Sequence, residues 1–125
     1  MAKNILIIDD DQLVVKTLSR YLKTCGYKVE AVLSGEEAIK KTEAIPFDLI
    51  ISDIRMPGMN GLETLKKLRS VCQNKHKIKI PEIIITGYAS DENKREAEKM
   101  GITNYIYKPF DLSVFIEAVK RSLSE

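Results

Sequence analysis

Apolar residues along this chain fall into short unbroken runs, separated by stretches in which they recur every three or four positions. The runs Ile5-Leu6-Ile7-Ile8, Leu49-Ile50-Ile51 and Ile83-Ile84-Ile85 are β-branched and bounded by polar residues, so they read as strands covered on both faces. With two more mixed segments they predict five strands, at residues 4–8, 28–32, 48–52, 82–86 and 104–107. Helical spacing fills the intervals. Val14, Leu18, Tyr21, Leu22 and Cys25 mark one face of a helix over about residues 12–25, with Gly26 supplying its C-cap. Ser34 followed by Glu37 is a capping box that starts the second helix at Gly35 and turns Ala38 and Ile39 inward. Leu62, Leu65, Leu68 and Val71 mark the third helix, while Leu112, Phe115, Ile116, Val119 and Leu123 mark the fifth, capped by Asp111. The fourth, roughly residues 92–100, has Ala97 and Met100 as its main apolar candidates and is expected to pack least tightly. Alternating strands and helices predict an α/β domain with a parallel sheet, in which strands 1, 3 and 4 are central.

A length of 125 residues suits one domain, residues 1–125, with a core of its own. No apolar run approaches the roughly 18 residues a membrane span requires, and Asp9 to Asp11 interrupt the first run too early for a secretory signal. A cytoplasmic setting is the expectation. The net charge of +2 gives no argument for nucleic acid binding. Cys25 and Cys72 lack metal-ligand spacing and read as reduced, partly buried structural thiols. One local bias stands out: Lys66, Lys67, Arg69, Lys75, Lys77 and Lys79 occur with no acid between Glu63 and Glu82. A solvated helix face running into a loop is the plainer reading of this stretch, and a partner-docking patch the alternative.

Candidate chemistry sits where the strands end. Asp9 and Asp10 follow strand 1, Asp53 follows strand 3, Thr86 closes strand 4 and Lys108 follows strand 5. The carboxyl ends of parallel strands share one edge, and ligands bind in the crevice outside it. If strands 1 and 3 are neighbours, the three acids converge. Two unit charges about 4 Å apart repel by about 4 kcal/mol at an effective dielectric near 20, so such a cluster needs a cation or raised pKa values. Mg²⁺ fits, because it takes a few carboxylates together with water and phosphate oxygens. Taken singly, each residue has a plainer reading. Asp10 or Asp11 can cap the first helix, Asp53 can open the turn before Pro57, and Thr86 and Lys108 can be ordinary strand-end residues. Lys108 also precedes Pro109, and X-Pro bonds have a substantial cis population.

Together, Asp9-Asp10, Asp53 with Met56-Pro57-Gly58-Met59-Asn60-Gly61, Thr86-Gly87-Tyr88-Ala89 and Tyr105-Ile106-Tyr107-Lys108-Pro109-Phe110 resemble the receiver domain of two-component response regulators. The motifs occur in the expected order over essentially the whole chain. The resemblance implies a flavodoxin-like doubly wound sheet of order 2-1-3-4-5 in a three-layer α/β/α sandwich. It implies that Asp53 accepts a phosphoryl group from a histidine kinase, a phosphotransfer protein or a small phosphodonor such as acetyl phosphate. Asp9, Asp10, Asp53 and the backbone carbonyl of Arg55 would hold Mg²⁺, Lys108 would pair with the phosphoryl oxygens, and Thr86 would hydrogen-bond one of them. Thr86 and Tyr105 would form the switch that remodels the face of helix 4, strand 5 and helix 5 for an effector domain or protein. Arg55 and Tyr88 occupy two positions that tune phosphoryl lifetime in the family, and both are bulky enough to crowd the hydrolytic water. Two rival readings are weaker. A Mg²⁺-dependent phosphatase of haloacid-dehalogenase type wants an acid where Arg55 stands, and a flavodoxin-like cofactor binder wants a phosphate loop where Asp9-Asp10-Asp11 would repel phosphate.

Overall fold

A computed structural model describes residues 2–56, 58–87, 90–102 and 104–125. Five parallel strands, β1 (Asn4–Ile8), β2 (Lys28–Val32), β3 (Leu49–Ser52), β4 (Glu82–Thr86) and β5 (Asn104–Tyr107), form one sheet in the order β2-β1-β3-β4-β5. The helices between them are α1 (Gln12–Thr24), α2 (Gly35–Ala44), α3 (Gly61–Val71), α4 (Asp91–Lys99) and α5 (Leu112–Ser122). The expected fold class is therefore the observed one, with β1, β3 and β4 at the centre.

Side chains alternate between faces along a strand, and this explains why the central strands are apolar throughout. Ile5, Ile7, Leu49, Ile51, Ile83 and Ile85 pack against Leu18 and Leu22 of α1 and against Phe115, Ala118 and Val119 of α5. Leu6, Ile8, Ile50 and Ile84 face the other way, onto Ala38 of α2, Leu62, Leu65 and Leu68 of α3, and Ala97 of α4. Each fully buried Ile or Leu contributes roughly 1.5–3 kcal/mol of transfer free energy, so the two apolar layers hold the central strands firmly. The edge strands β2 and β5 are only partly covered. No helix is long and apolar enough to cross a membrane among the described residues.

Several local expectations need correction. Cys25 is exposed because it forms the C-cap of α1, past the turn that docks on the sheet, and Gly26 follows it at φ 93°. Cys72 alone is buried. Glu37 accepts from the amide of Leu33 rather than that of Ser34, although Ser34 Oγ accepts from the Glu37 amide at 3.2 Å as a capping box requires. Asp111 precedes α5 without a side-chain capping bond, and Leu112 is exposed because the first turn of α5 stands clear of the sheet. Beyond α3 the chain continues as a π-helical turn, Cys72–His76, which the apolar spacing does not announce. It is tied down by a 2.7 Å contact between His76 Nε2 and the carbonyl of Thr42.

Candidate functional site

Strand register builds the site. Ile8 pairs with Ser52, so Asp9 and Asp53 leave neighbouring strands in step, and Thr86 pairs with Tyr107, which places Lys108 one residue past the β4–β5 ladder. Backbone bonds fix these exits: the Asp9 amide donates to Val32 O, the Asp53 amide to Ile8 O and the Lys108 amide to Thr86 O. The Lys108–Pro109 peptide is cis.

The Lys108 ammonium donates to Asp9 Oδ2 at 2.8 Å and to Asp53 Oδ2 at 3.2 Å. Both carboxylates are buried and each keeps its second oxygen occupied by a backbone amide, Asp11 N for Asp9 Oδ1 and Ile54 N for Asp53 Oδ1. Asp10 is exposed, yet oxygens of Asp9, Asp10 and Asp53 lie within 4.8 Å of one another. Thr86 is buried and lines, with these acids, Asp11, Arg55, Gly87 and Lys108, a cleft of about 320 Å³. An adjoining depression brings in Asn60 and Asn93 beside Asp10 and Arg55. Each expected site side chain among the described residues thus reaches the same edge, except Tyr105, which pairs with Ile84 two ladder positions before Thr86. Tyr88 lies outside the described residues.

Electrostatics follow from burial. Desolvation pushes the Asp9 carboxyl above the ordinary carboxylate value; the bonds from Lys108 and the Asp11 amide oppose it, and Asp53 repulsion adds a smaller push. Burial, more than mutual repulsion, therefore raises this acid. Burial alone would lower the Lys108 ammonium, but its hydrogen bond to Asp9 and the charges of Asp9 and Asp53 outweigh that and hold it above the ordinary lysine value. Three carboxylates facing one ammonium form an all-oxygen donor set with excess negative charge, which suits a hard divalent cation.

Other residues shape the site without a motif to advertise them. Asp11, not Asp10, caps α1, accepting from the amides of Leu13 and Val14. This frees Asp10 to join the cluster. Asn60 caps α3 by accepting from Glu63 N, and the Gly61 amide donates to Ile54 O at 2.8 Å, so α3 begins against the backbone that carries Asp53. The turn-forming residues near Asn60 signal a cap, but their contact with the Asp53 peptide depends on tertiary packing. Tyr105 is half-buried, its ring centroid 5.2 Å from that of Tyr107, and its hydroxyl is buried without a hydrogen-bond partner among the described residues. Burial, then Tyr107 and Asp53, raise its phenol above the ordinary value.

A family model described as the response regulator receiver domain matches residues 5–120. The chain belongs to this receiver family. A receiver domain protein of Methanospirillum hungatei shares its fold with a TM-score of 0.90 at 33% identity, covering 99% of this chain and 95% of that one. The chemotaxis protein CheY4 of Vibrio cholerae gives a TM-score of 0.88, also at 33% identity, over 98% of this receiver and 100% of its own chain. Among curated relatives, the probable transcriptional regulator ycf29 of Porphyra purpurea is 34% identical over 120 residues, 96% of this chain and 56% of that protein. The regulatory protein AtoC of Escherichia coli is 36% identical over 95% of this chain and 25% of its own length. The receiver thus spans about half or less of the curated relatives it matches.

Proposed function

We propose that residues 1–125 act as one receiver unit whose Asp53 carboxylate accepts a phosphoryl group from the phosphohistidine of a sensor histidine kinase or phosphotransfer protein, or from acetyl phosphate. The observation that carries this reading is the Lys108 ammonium bridging Asp9 and Asp53 beside an exposed Asp10. An Asp53 oxygen attacks phosphorus, the P–N bond to the donor imidazole breaks, and that nitrogen keeps the bonding pair. Lys108 passes from Asp53 to the transferred phosphoryl oxygens, where its charge offsets theirs. Asp9, Asp10, Asp53 and the Arg55 carbonyl would hold Mg²⁺, which when bound neutralises charge on the phosphoryl oxygens.

The Thr86 hydroxyl then hydrogen-bonds a phosphoryl oxygen, and Tyr105 moves with it. An unpaired buried hydroxyl costs roughly 1–3 kcal/mol, so Tyr105 gains from any state that gives it a partner, and α4, which buries only Ala97 fully, is free to adjust. The α4-β5-α5 face would thereby control an effector domain or protein in the cytoplasm.

Intact mass after treatment with acetyl phosphate tests this reading. One phosphoryl adduct that needs Mg²⁺ and disappears in Asp53→Asn is expected; an undiminished adduct on that variant overturns it.

A further inference from the structure

The basic stretch that runs from α3 to the residues before β4 does not line the Asp53 cleft. Its last residues, up to Lys79, lead into the amino end of β4, the edge opposite Asp53. Lys66 is tied to Glu96 and Arg69 to Glu82, but Lys67, Lys75, Lys77 and Lys79 are exposed and have no carboxylate partner among the described residues. Lys77 holds a left-handed conformation, φ 58° and ψ 35°, which favours glycine, so the turn places a cation where a smaller residue would fit the backbone better.

Lys79, the last of these lysines, borders a built depression. Ile50, Cys72, Ile78 and Ile80 form an apolar floor in a pocket of about 250 Å³, with Lys79 and Arg69 on its wall. Ile78 is 37% exposed. The one acid in the wall, Glu82, is neutralised by two Arg69 nitrogens. Past that ion pair the depression continues into a second cleft of about 450 Å³, where Asn104, Arg121 and Ser122 join Lys79 and Arg69.

We infer that this groove docks an extended acidic peptide segment carrying one aliphatic anchor residue. The anchor fills the apolar pocket, and carboxylates on either side meet the unpaired lysines and Arg121. Charge complementarity selects the occupant: Lys79 on the wall, with Lys75 and Lys77 close to it in sequence, has no carboxylate partner among the described residues, and the lining is mostly aliphatic with Gln73 as its one amide side chain. Phosphorylation is not required, so the surface is separable from Asp53 chemistry.

The test titrates the unphosphorylated, ¹⁵N-labelled protein with an acetylated, amidated Glu-Asp-Leu-Asp-Glu peptide. Saturable amide shifts at Ile50, Cys72, Ile78 and Ile80 are expected. Replacing the peptide leucine by glycine should weaken binding about tenfold, the value of an aliphatic side chain partly buried. The combined variant Lys75→Glu, Lys77→Glu, Lys79→Glu should lose the shifts while taking up phosphate from acetyl phosphate as the parent does. Three results overturn the inference: no shifts at millimolar peptide, equal binding of the glycine peptide, or tighter binding of these lysines to a single-stranded oligonucleotide or an anionic lipid vesicle.

Discussion

Gly61 lies so close to Asp53 that a Cβ on it would overlap the Asp53 carbonyl oxygen and sit 2.7 Å from the carbonyl carbon. The atoms it would meet are backbone, which cannot rotate aside. Gly61→Ala must therefore displace either α3 or the peptide that carries Asp53, the proposed phosphoacceptor. Overpacking of this kind costs about 1–3 kcal/mol, and the upper end applies where backbone resists. We expect a clear fall in the urea midpoint and slower labelling by acetyl phosphate. A variant with parental stability would show that α3 shifts at no cost.

Asp9 gives stability a pH dependence whose sign is fixed. Its carboxyl is raised from 3.8 on folding, so the metal-free native state binds more protons than the unfolded chain above that value. The stabilising contribution is fully present below pH 3.8 and is lost as pH rises through the raised folded value. Lys108, raised from 10.5, keeps its contribution until pH climbs past that value. Melting in EDTA should thus lose stability on the way up from about pH 4 toward neutrality, and Mg²⁺ at pH 7 should restore it by binding only the folded acids. Asp10 is exposed, so Asp10→Asn should change metal-free stability by no more than about 0.5 kcal/mol while reducing the Mg²⁺ effect. Equal Mg²⁺ stabilisation of parent and variant would remove Asp10 from the metal set.

The strands and the acid cluster were legible because a two-sided buried strand needs an unbroken apolar run, and each run of β1, β3 and β4 ends at the residue that reaches the cleft. What the sequence concealed lies at helix ends. The fate of Cys25, Leu112 and Asp111 depends on where the docked face stops, which periodicity leaves uncertain by about a turn. The π-helical turn at Cys72–His76 depends on tertiary anchors such as His76 on Thr42, and no local propensity encodes it. The division of labour between Asp10 and Asp11 was likewise hidden, since either acid can cap α1.

Arg55 is exposed at the rim of the cleft that holds Asp53. A long side chain there narrows the approach of water to an aspartyl phosphate. Arg55→Asn should shorten the phosphoryl lifetime, measured as decay of the intact-mass adduct after the phosphodonor is removed. If the adduct of the variant decays no faster, the Arg55 side chain does not shield the phosphorus.

Thr86 is the residue proposed to couple the site to the surface. Its side chain is buried beside Lys108, its carbonyl accepts the Lys108 amide at 2.8 Å, and its register partner Tyr107 packs on Tyr105. A phosphoryl group can shift a population only through contacts that differ between two states, and in the proposed switch the Thr86 hydroxyl makes one of them. Removing it leaves Asp53, Lys108 and the acid pair intact, so Thr86→Ala should still take up phosphate. It should, however, lose most of the phosphorylation-dependent change in amide shifts or hydrogen exchange across α4, β5 and the start of α5. Tyr105→Phe should separate the two halves of the switch, because it deletes the unpartnered hydroxyl but keeps the ring. If that hydroxyl is a burden in the resting state, the phenylalanine variant is more stable than the parent by about 1 kcal/mol before phosphorylation. A Thr86→Ala protein whose α4-β5-α5 face responds as fully as the parent would show that the signal leaves Asp53 by another route.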